Sequence, residues 1–478
     1  MIKSQPSQEH LLWKRKLFPE LVRLAWPIAV SMLSYSVMTV VDTLFVGRLG
    51  AAALSGVAFG GVVAFTCLCF GIGMMRAVKI LVSQSAGAGH RQNADEYVSA
   101  GLVIALVLGV LALLLGYAGE GLVRAWSPSA ASGALAADYL RLRSWGAPAV
   151  LAAFALREAS YGLGDSRRPM TASIVANLAN IPLNALLIFG LGLGVQGAAL
   201  ATIAAQVIEL AILAETARRG SIRLGPLREQ RLRQLVITGW PLALEFFLDV
   251  SAFSALAALI ARMGEVQLAA HQIAIQLSHF AFLPATAVAE AASVLAGQAV
   301  GAGEDRLVRR VAGRAALLNM IYVALCGALL VGFGSQLARA FTPDAPVREA
   351  ATSLLHLSAL LTSVFGLYAV VRAVLRGAGS ERFAALVSVA CAWFVTLPAA
   401  YALGVHLGWG APGAWLGLLA EVSLGLSIVG WKLMGNSWLA GAARARERLA
   451  STAGAHSTLQ PFPVGAGDLE PASVNPAV

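Results

Sequence analysis

Long apolar stretches alternate with short charged connections from about residue 20 to residue 434. Each stretch holds about 20 residues, enough for a helix to cross the ~30 Å hydrocarbon core of a bilayer. The pattern predicts spans near 20–45, 54–82, 96–118, 136–157, 170–190, 195–217, 235–261, 268–297, 310–333, 350–372, 383–404 and 412–434. The predicted fold is therefore an all-α polytopic membrane protein with twelve transmembrane helices.

An even number of spans puts both ends of the predicted bundle on one side. Placing both inside puts most Lys and Arg on the cytoplasmic face, including six arginines between Arg218 and Arg233. That is the bias seen in membrane proteins, so both termini are expected in the cytoplasm. The chain also repeats itself. "LVRLAWPIAV" (21–30) matches "LVITGWPLAL" (235–244), and "SQSAGAG" (83–89) matches "GQAVGAG" (297–303). "LVRAWSPSA" (122–130) pairs with "LARAFTPDA" (337–345), "REASYGLGDSR" (157–167) with "RAVLRGAGSER" (372–382), and "LGLGVQGAA" (191–199) with "LGWGAPGAW" (407–415). Five matches in one order imply two six-helix bundles. Six is even, so the bundles share an orientation and are related by a pseudo-two-fold axis along the membrane normal, with a central cavity between them. The expected organisation is a cytoplasmic N-terminal segment (1–19), an N-lobe (20–217), a basic, hinge-like cytoplasmic loop (218–234), a C-lobe (235–434) and a largely disordered cytoplasmic tail (435–478).

Composition agrees. The 478 residues are 58% hydrophobic and only 13% charged, against about 25% charged in soluble domains. The net charge of +10 falls in clusters between apolar runs, which argues against a nucleic-acid partner. Membrane lipid is the expected surrounding, and a monomer is expected. Cys67, Cys69, Cys326 and Cys391 lie inside apolar segments without metal-ligand spacing. The basic start, with Lys14, Arg15 and Lys16, is followed by no cleavage site, so no cleavable signal peptide is expected.

Polar residues inside the spans are the candidates for function. Asp42 is the only charge between Leu24 and Val46. A carboxylate at that depth costs about 2.5–3.5 kcal/mol on insertion scales, and a bound H⁺ or Na⁺ would relieve the cost. Asn180 and Asn184 are four apart, on one helix face, with Pro182 between them freeing a backbone carbonyl. Such oxygens suit a hard cation, and Thr202 on the next span can join them. Asn177 completes a polar face. Glu245 and Asp249 are also four apart, and two acids so close are expected to share a proton. Arg76 and Glu290 occupy equivalent positions of the two halves and are expected to attract across the cytoplasmic mouth. Tyr35, Met38, Phe65, Tyr139, Met170, Phe246, Phe253 and Phe282 are the aromatic and methionine candidates for the cavity wall, where a lipophilic cation would find cation–π contacts.

These motifs resemble the multidrug and toxic compound extrusion (MATE) family. The carriers are "VDTLFVGRLGAAALSGV", "LVSQSAGAG", "LAGQAVGAG", "GLGDSRRPM", "NIPLNALLIFG" and "LAAHQIAIQL", in that family's order over roughly residues 18–436. The resemblance implies a bacterial cytoplasmic-membrane antiporter. It would export amphipathic, often cationic compounds in exchange for H⁺ or Na⁺, with no cofactor and no enzymatic reaction. It also implies coupling roles for Asp42, Asn180, Asn184 and Thr202, which together would form any Na⁺ site, and for an acid at Asp249. Glu245 is an additional acid one turn away. Some members carry an aspartate where this chain has Asn184, and the acid frequent on the tenth helix is replaced here by Phe365. The "AAHQ" match makes His271 and Gln272 packing landmarks, with Gln272 also a candidate for the substrate cavity. The alternative is a lipid-linked oligosaccharide flippase of the related superfamily. Its members line the cavity with cations, whereas the intramembrane charges here look mostly acidic. No HExxH, DDxxD or P-loop pattern supports an enzyme or ATPase.

Overall fold

A computed structural model of the chain describes residues 11–127, 129–218 and 222–450. Among the described residues there is no strand. The helices are α1 (Leu17–Gly47), α2 (Ala51–Gly87), α3 (Arg91–Ala118), α4 (Glu120–Trp126), α5 (Ala130–Ser144), α6 (Ala147–Gly162), α7 (Arg167–Asn184) and α8 (Gly194–Arg218). There follow α9 (Glu229–Ala261), α10 (Glu265–Gly301), α11 (Asp305–Phe341), α12 (Ala345–Gly377), α13 (Glu381–Cys391), α14 (Leu397–Ala399), α15 (Gly410–Met434) and α16 (Leu439–Ala450). Among the described residues eleven segments are long and apolar enough to cross a membrane, and the chain is an integral membrane protein.

The span expected at 136–157 is two shorter helices. Ser129 and Ser132 form a reciprocal cap that starts α5, and the chain breaks at Trp145–Gly146 before α6. The pair still runs parallel to α2 along nearly its whole length. Gly56 sits against Ser132 and Ala136, Gly60 against Ala136 and Tyr139, Gly71 against Leu151, and Gly162 against Lys79 and Val82. Residues with no side chain let these backbones approach as membrane helices do.

The backbone carries the duplication independently of residue identity. All ten positive-φ glycines among the described residues pair up between the halves: Gly50 with Gly264, Gly89 with Gly303, Gly164 with Gly379, Gly192 with Gly408, and Gly194 with Gly410. The first pair shows why glycine is needed, since φ is 103° at Gly50 and 116° at Gly264, where α1 and α9 turn into α2 and α10. Proline recurs too. Pro182 lies in α7 and Pro398 in α14, each leading into a π-helical stretch, Ala185–Gly190 and Ala400–His406. Both stretches end alike: the Leu191 N–H donates to the Leu186 carbonyl and the Leu407 N–H to the Ala402 carbonyl.

The halves meet mainly through one end of α2 and α10. From Gly71 to Gly87 nearly every α2 residue is buried, and so is nearly every α10 residue from Ala285 to Val300. The contact is reciprocal. Gln84 donates to the Gly377 carbonyl (2.9 Å) and Gln298 to the Gly162 carbonyl (3.3 Å). A methyl group added at Gly87 would lie 2.0 Å from the Gln298 carbonyl oxygen, and one at Gly301 2.0 Å from that of Gln84. Upstream of Gly71 and Ala285 both helices show alternating exposure, so the halves diverge away from this closed end.

Two expectations change. The basic loop is shorter than 218–234, since α9 begins at Glu229, and residues 219–221 lie outside the described residues. Its described part is pinned rather than hinge-like. The Gly225 N–H donates to the Asp95 carbonyl (3.1 Å), and Ser99 donates to the Gly225 carbonyl (2.8 Å). Arg231 is fully buried, paired with Glu96 (2.8 Å), donating to Asn93 (2.5 Å) and stacked on Tyr97. A buried carboxylate in α3 draws that arginine out of the headgroup region. The tail expected from 435 also begins with structure. Trp438, Ala442, Ala445 and Leu449 bury one face of α16, because Gly379 and Gly441 let the backbones touch. Residues 451–478 lie outside the described residues. At the other terminus, Trp13 donates to Gln298 (2.9 Å) and Lys14 pairs with Glu304 (2.6 Å).

Candidate functional site

In the N-terminal half, α1 and α7 bring three of the expected residues together. The Asn184 amide donates to Asp42 Oδ1 (2.5 Å) and to Asn180 Oδ1 (2.7 Å). Both asparagines are fully buried, while Asp42 is half-buried. The Asn184 Oδ1 oxygen is buried without a hydrogen-bond partner. A buried acceptor left open beside a carboxylate costs about 1–3 kcal/mol unless something electropositive meets it. Thr202 of α8 stands beside Asp42 and donates to its own helix at Ala198 (3.0 Å). Among the described residues Asp42 forms no ion pair. Asn177 instead ties α7 to α1 by donating to Ser34 (2.8 Å). Met32 is the last α1 residue packed on the C-terminal-half core. Asp42 lies ten residues further on, about 15 Å along the helix, where the halves have diverged.

Beside this site is a cluster that sequence inspection overlooked. Arg157 of α6 is buried, pairs with Glu209 of α8 and donates to Tyr35 of α1. The Tyr35 hydroxyl donates to Glu209 (2.5 Å). Tyr35 was expected on a cavity wall and is instead committed to this ion pair.

The C-terminal half has a corresponding cluster. Arg372 and Arg376 of α12 meet Glu245 and Asp249 of α9. Arg376 contacts Glu245 directly, and Arg372 lies 3.5 Å from Glu245 and 3.6 Å from Asp249. Ser388 donates to Asp249 (3.1 Å). The two acids expected to share a proton thus stand against two arginines. The expectation of a mostly acidic interior is corrected, since Lys79, Arg157, Arg372 and Arg376 are all buried or nearly so.

One intramembrane acid here has no cation. Glu421 of α15 accepts from Thr396, in the π-helical stretch that follows α13, and forms no ion pair among the described residues. It is the sole charge between Arg382 and Lys432, the same signal that singles out Asp42.

At the closed end Glu290 does bridge the halves, but its partner is Lys79 rather than Arg76. Lys79 contacts Glu290 and lies 2.9 Å from Glu158 of its own half. Arg76 stacks instead on Phe246, 4.4 Å from the ring centroid. Lys79 lies one turn nearer the tight crossing, where side chains from the two helices meet.

The expected cavity residues are not one cluster. Phe65 and Phe246 meet edge-to-face across the halves at 6.4 Å. Phe253 faces His271, which accepts from Trp415 (2.9 Å). Phe282 packs on Phe365. Tyr139 is buried against Gly60, whereas Met38 is half-buried and Gln272 exposed.

Two matched helical halves, closed at one end and carrying acids where they diverge, define a polytopic membrane protein of duplicated architecture. The comparisons name the class. The MatE family model matches residues 27–186 and 241–402, one segment in each half. A probable multidrug resistance protein NorM of Bradyrhizobium diazoefficiens is 32% identical over 417 residues, covering 84% of this chain and 89% of that protein. A multidrug resistance protein MdtK of Edwardsiella ictaluri is 27% identical, covering 88% and 96%. Two solved structures share the fold: an outward-facing MATE family transporter (TM-score 0.81, 20% identity, 94% of this chain and 99% of that one) and the eukaryotic MATE transporter AtDTX14 (0.83, 19%, 91% and 99%). The chain belongs to the MatE family.

Proposed function

We propose that the protein exports amphipathic, cationic organic compounds in exchange for H⁺ or Na⁺ by alternating access. Proteins named for multidrug resistance align with most of the chain, which supports efflux as the task. The observation that carries the coupling is the Asp42–Asn184–Asn180 chain, with one carboxylate outside any ion pair among the described residues and one buried amide oxygen lacking a donor. A proton on Asp42 or a Na⁺ between Asp42 and Asn184 answers both deficits. With the basic connections in the cytoplasm, the closed end is cytoplasmic and the diverging end faces out. An ion entering from outside then tightens α1 against α7. Release of the Lys79–Glu290 bridge exposes the cavity to the other side, and only the ion-loaded or the substrate-loaded protein makes that change, so each ion carried in is matched by a substrate carried out. Glu421 is a second ion-sensitive group in the other half.

A flippase for lipid-linked sugars gains some support from the buried arginines. Their acids engage them, however, so they present a neutral cluster rather than a landing site for pyrophosphate.

The test is dye efflux from proteoliposomes under separate pH and Na⁺ gradients. Asp42→Asn is expected to abolish gradient-driven efflux while dye binding in detergent persists. Undiminished efflux in that variant would refute the coupling role.

A further inference from the structure

A cavity of about 610 Å³ opens at the closed end between α9, α13, α15 and α16. Arg382, Lys432, Arg444 and Arg448 line it, against only Glu381 and Glu447. Arg448 is tied to Thr238 (2.8 Å), and Lys432 lies over the Phe383 ring at 4.0 Å. Arg382, Arg444 and Lys432 make no ion pair among the described residues.

The cavity has an apolar extension on each side. Ile237 lines it, and Trp240 and Leu244 follow at spacings of three and four on the same face of α9, with exposures of 39%, 46% and 40%. On the segment that begins with α13, Phe383 lines the cavity, and Leu386 (70% exposed) and Phe394 (80%) continue outward. The α9 and α13 helices pack together, so the two stripes flank one groove leading from the charged cavity into the membrane-spanning part. Trp431 and Met434, both exposed, mark the membrane boundary at the end of α15.

We propose that this is a binding site for an anionic phospholipid. The headgroup phosphate sits among Arg382, Lys432, Arg444 and Arg448, and the acyl chains lie between α9 and α13. The chemistry fits at both ends: a basic pocket at the cytoplasmic boundary takes a phosphate, and a groove of exposed apolar side chains takes hydrocarbon. A soluble anion would use the cations and leave the groove bare. The bound lipid would join α16 to α9 and α13 of the C-terminal half.

Native mass spectrometry of the full chain in neutral detergent tests the site, with phosphatidylglycerol, phosphatidylcholine and glycerol 3-phosphate as probes. The wild type is expected to retain phosphatidylglycerol over phosphatidylcholine. Arg382→Gln with Arg444→Gln is expected to lower that preference by about twenty-five-fold, taking each cation as about fivefold. Arg306→Gln with Arg310→Gln, at the same end on α11, is the charge control and is expected to change it little. Equal retention of both lipids by the wild type overturns the proposal, as does an equal loss in the control pair. Competition by glycerol 3-phosphate at the lipid's own concentration also overturns it, because the site would then be one for soluble anions. A second measurement does not depend on how the arginine variants fold. Phosphatidylglycerol brominated in its acyl chains is expected to quench wild-type tryptophan fluorescence more than that of Trp240→Phe, and equal quenching removes the groove from the site.

Discussion

Replacing Lys79 with methionine removes one charge at nearly constant length from the place where the halves are locked. Lys79 Nζ lies 2.9 Å from Glu158 and in contact with Glu290 of the opposite half, and all three side chains are largely buried. Removing one member of a buried ion pair costs about 3–5 kcal/mol, because the remaining charge is uncompensated. Here two carboxylates lose their common cation. The penalty applies only while this end is closed, since separation admits water to both acids. The equilibrium should therefore move towards opening by about two to four powers of ten. The assay is alkylation of a single cysteine at Ser83, a fully buried residue facing Gly297 across the crossing, in a chain with Cys67, Cys69, Cys326 and Cys391 replaced. A membrane-impermeant maleimide applied to inside-out vesicles is expected to react about a hundredfold faster in Lys79→Met than with Lys79 intact. Adding Glu290→Gln should bring the rate part of the way back. Unchanged alkylation in Lys79→Met would show that the bridge does not hold the end closed.

Other consequences follow from the same contacts. Gly87→Ala places a methyl group 2.0 Å from the Gln298 carbonyl oxygen. Overpacking of this kind costs about 1–3 kcal/mol, so the Ser83 cysteine should again become more reactive; a rate equal to that of the parent would contradict the tight crossing. Arg376→Met leaves Glu245 with only Arg372 at 3.5 Å. Its thermal unfolding in detergent should occur at a lower temperature, by the equivalent of about 3 kcal/mol. Glu245→Gln in the same chain should recover at least half of that, and no recovery would mean that the pairing is not the source.

Much of the architecture was legible in hydropathy. The apolar runs locate the spans and the repeated motifs reveal two halves, whereas the paired positive-φ glycines and the two π-helical stretches emerge only from the backbone. The break at Trp145–Gly146 was missed although "LRLRSWGAPAVL" (140–151) signals it, with Gly146 at the stop and Pro148 in the first turn of α6; hydropathy alone runs through it. Asp42, Asn180 and Asn184 were found because a lone acid and two amides on one face stand out in an apolar run. By the same criterion Glu209 and Glu421 were available and passed over, since neither belongs to a recognisable motif. The acid pair Glu245–Asp249 was visible, but its compensation by Arg372 and Arg376 was not. Those residues lie more than a hundred positions away, and only the packing of α9 on α12 brings the charges together. The partner of Glu290 was misplaced by one helical turn, a shift that symmetry arithmetic alone does not resolve.

The matched corner glycines make the two copies of the frame interchangeable, and apart from Arg157 and Arg372 the buried titratable groups described above do not follow suit. Tyr35 occupies the place that Asp249 holds in the other copy, Asp42 the place of Leu256, and Arg76 that of Glu290. A pair of identical bodies about one axis would have no means of telling a passenger on one side from a counter-ion on the other. Whatever division of labour the molecule achieves must therefore reside in those few unmatched side chains, which gene duplication left free to diverge while the corners that keep the fold stayed the same.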